Sequence, residues 1–224
     1  MSYPINYPTP QGANVQIFNA RDAVGAGILG WTKPQGASFV WFTLIGGGAG
    51  GDNVSTGGGS GAVTNCMVPA FLIPDFLEVV VGAGGAVSAA GTASGVWYVN
   101  RGGATYFSQL LNANGGVSGG TGGNATNSNY FSAMGFYQSV AGQSGVSGFQ
   151  SASATTFLSG GSSGTTTGNY GYRNGITAVN DGFFQMQPII VGVGGCGTNG
   201  TGGIGCGGGS TGAGGNGLVV IITW

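Results

Sequence analysis

The stretch Ser38-Phe-Val-Trp-Phe-Thr-Leu-Ile-Gly-Gly-Gly-Ala-Gly-Gly51 decides how the chain folds. Its first part, up to Ile45, is aromatic or β-branched almost throughout, which is typical of a strand covered on both faces. The strand then runs directly into a glycine-rich segment. The chain therefore combines buried β-structure with glycine tracts.

The same junction between strand and glycine recurs along the chain. The run from Phe76 to Val81 is a strong strand candidate that enters Gly82-Ala-Gly-Gly85. A fully apolar strand, Leu218 to Trp224, ends the sequence and is preceded by Asn216-Gly217. Further strand candidates are residues 14–18, 62–68, 96–99 and 104–111, and the last of these is also compatible with a helical turn.

Glycine recurs at every third position in several segments. Seven of the eight positions 194, 197, 200, 203, 206, 209, 212 and 215 are glycine, with Cys206 as the exception. The same step of three occurs at 116, 119 and 122 and at 142, 145 and 148. Three residues per turn is the repeat of the polyproline II helix, and glycine allows such helices to pack closely.

These patterns predict a mainly β fold with little helix: a β-sandwich-like scaffold with packed, glycine-rich polyproline II segments. Flexible linkers are the alternative interpretation of the glycine tracts. The sustained period, and the apolar Ile204 and Cys206 within it, favour packed structure. By length the chain forms one domain or two small ones.

The composition excludes several classes of function. Of 224 residues, 53 are glycine, only 4% are charged, and there is no histidine. Four scattered cations do not form a nucleic-acid-binding patch, and no mechanism with an imidazole base is possible. A net charge of −1 and a hydrophobic content of 41% argue against disorder, which accompanies high charge and low hydrophobicity.

The sequence shows no targeting or membrane segment. The start of the chain lacks the basic and apolar regions of a secretory signal. No apolar run is long enough for a transmembrane helix. We therefore expect no membrane insertion, and synthesis in a reducing cytoplasm from which the protein is carried outside.

No motif indicates catalysis. Gly25-Ala-Gly-Ile-Leu-Gly30 matches the dinucleotide fingerprint, but Pro34 ends any following helix, so we interpret the segment as a turn. Asp75 and Glu78 would share a face only on a helix. Cys196 and Cys206 are either buried free thiols or an oxidised pair. The sequence predicts a non-enzymatic protein with no cofactor and no metal.

Several motifs follow one another along the chain. They are Trp31-Thr-Lys-Pro-Gln-Gly followed by the strand into Gly51, Gly57-Gly-Gly-Ser-Gly-Ala-Val63, Val68-Pro-Ala-Phe-Leu-Ile-Pro74, Leu77-Glu-Val-Val-Val-Gly-Ala-Gly-Gly85 and Gly214-Gly-Asn-Gly-Leu-Val-Val-Ile-Ile-Thr-Trp224. In these motifs and their order the chain resembles the glycine-rich domain of tail fibres and other structural proteins of tailed bacteriophages. The resemblance covers roughly 31–123 and 190–224. It implies a virion structural protein with no catalytic residues.

Four regions follow from this organisation. Residues 1–30 form an extended arm and first strand, and 31–123 the first part of the glycine-rich β domain. Residues 124–189 form an insertion rich in Ser, Thr, Asn and aromatics, and 190–224 close the domain. The candidate anchoring residues of the arm are Tyr3, Pro4, Tyr7 and Pro8. The candidate partner or receptor surface of the insertion comprises Tyr130, Phe131, Phe136, Tyr137, Tyr170 and Tyr172.

The resemblance leaves the position on the particle open. A capsid decoration or cement protein and a tail-fibre-associated module are both compatible with it, and a receptor-binding adhesin at a fibre tip is the alternative. The expected partners are other virion proteins, copies of the chain itself and a host receptor. An ice-binding protein is the alternative from another class, because some antifreeze proteins are glycine-rich with a period of three.

Overall fold

The computed structural model describes residues 12–20, 28–99, 107–125, 137–145 and 199–224. Within these ranges the secondary structure is almost entirely strand. The strands are β1 (Asn14–Asn19), β2 (Ile28–Thr32), β3 (Phe39–Ile45), β4 (Val63–Pro69), β5 (Phe76–Val80), β6 (Ser94–Val99), β7 (Phe107–Ala113), β8 (Tyr137–Val140) and β9 (Leu218–Thr223). A single 3-10 turn, Ala70–Leu72, joins β4 to β5.

The strands form two antiparallel sheets. The first has the order β1-β9-β3-β4-β8 and the second the order β2-β5-β6-β7. The last strand of the chain, β9, lies between β1 and β3, with Ile17 and Thr43 both opposite Val220. Two strands distant in the sequence, β1 and β9, are therefore hydrogen-bonded to each other at one side of the first sheet.

The two sheets face each other across the main hydrophobic core. The first sheet contributes Phe42 and Ile221, and the second contributes Trp31, Leu77 and Val96; all are at most 1% exposed. The rings of Trp31 and Phe42 meet edge to face at a centroid distance of 6.3 Å, a favourable aromatic geometry. The predicted β-sandwich-like, mainly β fold is confirmed.

A second apolar cluster covers the opposite face of the first sheet. Alternate residues of β3 and β9, including Trp41, Ile45 and Val220, belong to this cluster together with Cys206. Because both faces of β3 are buried, every residue from Val40 to Ile45 is buried. This confirms the prediction that Phe39–Ile45 lies within a strand covered on both faces.

The strand predictions hold where the sequence is apolar and fail where it is glycine-rich or polar. The predicted strands at 14–18, 38–45, 62–68, 76–81, 96–99 and 218–224 all appear, with shifts of a residue or two. The predicted turn at 25–30 is wrong at its end, because β2 begins at Ile28 and pairs with β5. The helical alternative at 104–111 is wrong from residue 107, because β7 pairs with β6.

Candidate functional site

A block of glycine-rich segments continues both sheets and is the distinctive feature of the molecule. Strand β3 leads into 46–51 and β5 into the segment after Val81, while β4 and β9 follow glycine segments. The chain outside the strands thus runs on in the same direction instead of looping. We call this region the glycine block; it comprises residues 46–51, 57–62, 82–92, 114–123, 141–145 and 199–217.

The segment 46–51 is the centre of the glycine block. Its consecutive amides donate in turn to three neighbouring segments, 57–62, 89–92 and 212–215, and every third amide donates to the same neighbour. This threefold repeat is that of polyproline II, so the predicted packing is confirmed and the linker interpretation is wrong here. The donor–acceptor pairs, at 2.8 to 3.1 Å, are Gly46–Ala62, Gly47–Thr92, Gly48–Gly215, Ala49–Gly59, Gly50–Ala89 and Gly51–Gly212.

The carbonyl groups of the central segment are used as well. The oxygens of Gly47, Gly48 and Ala49 accept hydrogen bonds from the amides of Gly116, Gly85 and Gly208, at 2.9, 2.8 and 2.9 Å. Successive donors therefore come from three further segments. Since the interior backbone groups are paired in this way, the glycine block avoids the cost of buried, unsatisfied amides.

Glycine is required inside the block because no space remains for a side chain. A Cβ atom on Gly48 would overlap the carbonyl oxygen of Cys206, and one on Gly51 would overlap the carbonyl oxygen of Gly209. The obstacles are backbone atoms, which cannot rotate away. The non-glycine Ala49 is fully buried yet fits, so the block tolerates a methyl group only at particular positions of each turn.

Some side chains of the glycine block lie on its outside. Ala83 and Ala86, one turn apart, are both exposed, and so is Thr92 on the adjoining segment. Two polar side chains on this side bind the backbone: Thr92 Oγ1 accepts from the Ala83 amide and Asn216 Oδ1 from the Gly84 amide, both at 2.8 Å. The outer surface is therefore small-residue and uncharged.

The described residues next to the predicted arm and those next to 146–198 lie at opposite ends of the molecule. At the sheet end, Asn14 lies opposite Thr223, so the predicted arm joins the fold there. At the far end of the glycine block, the Gly145 amide donates to Gly120 O at 2.9 Å, and Gly200 O accepts from Gly209 at 2.7 Å. Residues 146–198 therefore leave and re-enter the described structure at the far end.

Turns at this far end expose apolar side chains that the sequence analysis did not single out. Val54 is 78% exposed, and Val87 and Val117 are exposed as well. Their turns meet around Gly51, whose carbonyl accepts from the Ser88 amide and the Ser118 hydroxyl. An isolated valine within a Gly/Ser-rich turn was the available signal in the sequence.

Asp52 organises one of these turns. One carboxylate oxygen accepts the amides of Val54, Ser55 and Thr56, each at 2.8 Å. These hydrogen bonds, led by those from Thr56 and Val54, lower the pKa of Asp52 below its usual value. The charged carboxylate therefore stabilises the folded state above the ordinary pKa of about 4, and the contribution is lost as pH falls through the lowered pKa.

Asp52→Asn tests this contribution, because the amide oxygen can still accept the three hydrogen bonds but carries no charge. We expect the variant to unfold at a lower temperature than the wild type at neutral pH. The gap should close as the pH falls through the lowered pKa of Asp52, because the wild-type carboxyl then becomes neutral as well. Thermal melts across this pH range measure it, and a gap that does not change with pH would contradict the assignment.

The remaining described carboxylates do not form a catalytic pair. Asp75 forms an ion pair with Lys33 at 2.8 Å, and this hydrogen bond and charge lower the pKa of Asp75. Lys33 Nζ also donates to the carbonyls of Ala70 and Ile73, so it fastens the 3-10 turn. Glu78 lies on β5, between β2 and β6.

Both described cysteines are buried: Cys66 and Cys206 are at most 1% exposed, and Cys66 is a free thiol. Cys196 lies outside the described residues, so whether it pairs with Cys206 stays open. Burial raises the pKa of the Cys66 thiol to about 12. The thiolate that would attack an electrophile is therefore scarce at physiological pH.

We expect iodoacetamide to leave Cys66 unmodified in the native protein at pH 8 and to alkylate it fully in denaturant. Peptide mass spectrometry quantifies the modification. A Val54→Cys variant supplies a matched exposed thiol that should react within the same native sample. Native labelling of Cys66 at the rate of that exposed thiol would contradict its buried position.

Of the predicted contact residues, Tyr137 is the one that the described ranges contain. It lies on β8 opposite Cys66, is half-buried and packs against the main core. The other predicted residues lie outside the described residues, and their role stays a prediction. They are Tyr130, Phe131, Phe136, Tyr170 and Tyr172 of the insertion and Tyr3, Pro4, Tyr7 and Pro8 of the arm.

The described ranges contain neither a metal-binding cluster nor a membrane-spanning helix. No three His, Cys, Asp or Glu side chains come together there in a way that would hold a metal ion. No helix in that part of the chain is long and apolar enough to cross a membrane.

Comparison with known sequences gives one family. The sequence model of a family described as a glycine-rich domain matches residues 23–223. No curated protein matches the chain. The matched range takes in β2 through β9 and the whole glycine block.

Proposed function

The chain belongs to the glycine-rich domain family, and from this premise we propose that it is a non-enzymatic structural protein of a tailed bacteriophage particle. Its body is a spacer that is held to the particle at the sheet end and carries a contact region at the far end of the glycine block. We assign it to the tail fibre in preference to the capsid shell.

The ordered motifs of the phage resemblance support this proposal. Each corresponds to one structural junction: the motif ending at Gly51 contains β3 and the central glycine segment, and the motif ending at Gly85 contains β5 and its continuation. The Val68–Pro74 motif forms the 3-10 turn that Lys33 fastens. The shared sequence elements are thus the elements that build the spacer.

The observation that carries the proposal is the separation of the described residues that flank the arm from those that flank 146–198. Asn14, next to the predicted arm, lies at the outer end of the first sheet, opposite Thr223. Gly145 and Gly200, which bracket the long intervening segment, lie at the opposite end of the glycine block. A protein that attaches at one end and contacts a receptor at the other needs this arrangement.

The composition of the glycine block also suits a particle outside the cell. Glycine and alanine lose little or no side-chain entropy on folding, although glycine loses more backbone entropy. The paired backbone groups of 46–51 offset that cost with hydrogen bonds in several directions. The block contains few titratable groups, so its packing depends little on pH or salt.

The test is the copy number of this protein in purified virions, measured by quantitative mass spectrometry with labelled peptides. A tail-fibre module predicts a handful to a few tens of copies per particle. Hundreds of copies would instead make it a capsid decoration or cement protein. Absence from particles would contradict a virion role altogether.

Receptor binding is the finer proposal for the predicted insertion, whose candidate contacts are Tyr130, Phe131, Phe136, Tyr137, Tyr170 and Tyr172; aromatics with Ser, Gly and Asn suit adaptable binding surfaces. Since Tyr137 lies on β8 of the first sheet, we assign receptor binding to 146–198, the part that contains Tyr170 and Tyr172. Purified protein should compete with the phage for adsorption to its host. A chain in which 146–198 is replaced by a short Gly-Ser linker should fold but not compete.

A second candidate function is ice binding, which the exposed row of Ala83 and Ala86 beside Thr92 favours. Small residues repeated at the polyproline II step give a flat, uncharged face. An ice-recrystallisation assay at high protein concentration tests it. Inhibition that is lost on Ala86→Lys would support ice binding, whereas no inhibition by the wild type would exclude it.

A further inference from the structure

Strand β1 forms an edge of the first sheet that lacks the protection found at other edges. Among the described strands it pairs only with β9, in a regular register over all of Asn14–Asn19. It contains no proline and no charged residue. Exposed edges of this kind invite pairing with another strand, and natural proteins usually blunt them with charges, prolines, bulges or short length.

Two other sheet edges show such devices. Strand β8, at the opposite edge of the same sheet, has only four residues. Strand β7 pairs with β6 through a register irregularity between Val96 and Trp97. Strand β1 has neither device.

The outer face of β1 is also apolar. Val15 is 45% and Ile17 52% exposed, and they lie opposite Ile222 and Val220, which belong to the buried second cluster. The apolar surface of that cluster thus continues to the sheet edge and stops there uncovered. The inward residue Phe18, in contrast, is buried in the main core.

We propose that β1 pairs antiparallel with β1 of a second copy, so that the two first sheets become one continuous sheet across a twofold axis. The register follows from the pattern. Residues that lie opposite each other must share a face of the sheet. When the pair is centred on Gln16, Val15 lies opposite the partner's Ile17, and Ile17 lies opposite the partner's Val15. Centring it on Ile17 would oppose Val15 to Asn19 and leave it uncovered.

Charge and chemistry favour a second copy as the occupant. An isologous interface needs a self-complementary surface, and Asn14-Val-Gln-Ile-Phe-Asn19 is neutral, so two copies do not repel. Opposed aliphatic side chains stabilise cross-strand pairs, and opposed Gln16 side chains can hydrogen-bond to each other. This pairing goes beyond the proposed virion role and does not depend on it.

The first experiment is sedimentation equilibrium of the full-length chain. We expect a molar mass of twice 21.8 kDa at micromolar concentration. Ile17→Lys should give a folded monomer with the circular-dichroism spectrum of the wild type, because the side chain is exposed in the single chain. Its melting temperature should fall only by the stabilisation that dimer formation gives the wild type. Val54→Lys, which changes a more exposed valine at the far end, is the control and should remain a dimer.

The second experiment tests the register. Gln16→Cys places two thiols directly opposite each other, with Cβ atoms about 5 Å apart, so mild oxidation should give a disulfide-linked dimer. In Asn19→Cys the two thiols would be about 20 Å apart, at 3.3 Å per residue, and should not link. The wild type, oxidised in parallel, controls for its native cysteines.

Three results would overturn the proposal. A monomeric wild type would show that the edge is covered by another segment or another virion protein. A dimer that survives Ile17→Lys would place the interface elsewhere. If Gln16→Cys failed to link while Asn19→Cys linked, the pairing would have a different register.

Discussion

Gly48→Ala is expected to destabilise the protein by at least about 4 kcal/mol, which is at the extreme of single substitutions. The added methyl group would overlap the carbonyl of Cys206, a backbone group. Moving either segment breaks the hydrogen bonds from Gly48 N to Gly215 O and from Gly85 N to Gly48 O, both 2.8 Å. Since the free energy of unfolding of a domain is only about 5–15 kcal/mol, this substitution removes a large part of it.

Gly120→Ala is the matched control for this substitution. Its Cβ would have as its nearest neighbour the carbonyl oxygen of Ser118 at 3.6 Å, an ordinary contact. We expect a change within about 1 kcal/mol, because alanine mainly restricts the unfolded chain. Urea unfolding curves measure both variants, and equal midpoints for Gly48→Ala and Gly120→Ala would contradict close packing in the glycine block.

Phe42→Ala is expected to cost about 3–5 kcal/mol through the cavity it leaves between the sheets. Phe42 is fully buried on β3, and its ring meets Trp31 of the other sheet. The surrounding strands are hydrogen-bonded on both sides, β3 by β4 and β9, so they cannot collapse into the space. The loss of the Phe42 ring therefore removes its edge-to-face contact with Trp31 across the two sheets.

The matched control is Phe71→Ala, on the 3-10 turn. Phe71 is 82% exposed, so its removal should change the free energy of unfolding by no more than about 0.5 kcal/mol. The same urea measurements apply. If Phe42→Ala unfolded at the same urea concentration as Phe71→Ala, the sheets would not share a core at this position.

The β-strands could be predicted where burial on both faces gives a continuous apolar run. Phe39–Ile45 and Leu218–Thr223 are such runs and occupy the middle of the first sheet. Strand β2 could not be recognised, because its Gly30 resembles a turn residue. It forms through pairing with β5, and tertiary pairing of this kind overrides local propensity.

The repeat of three predicted polyproline II packing but not which segments touch. Gly48 contacts Gly85, Cys206 and Gly215, all distant from it in the sequence. Every glycine segment offers the same donors and acceptors, so their order in space is set by the strands to which they are attached. That order is a property of the two sheets and not of the repeat.

The candidate contact residues could be predicted only as types. Aromatic residues among Ser, Thr and Asn indicate a binding surface or a local core equally well. The half-buried Tyr137 packs against the main core and so behaves as a core residue. The separation of the two ends could not be read from the sequence, because it depends on Asn14 lying beside Thr223 and on Gly145 lying beside Gly120.

Amide hydrogen exchange of residues 46–51 tests most directly the claim that the glycine block is a packed part of the native core. Each of these amides donates to a neighbouring segment, so we expect protection as strong as that of β3, with exchange through global unfolding. Deuterium uptake is measured by mass spectrometry on peptides covering 39–51, or by NMR on the individual amides. Exchange of 46–51 at the rate of a free peptide, while β3 stays protected, would show that the glycine segments are linkers and would contradict this account.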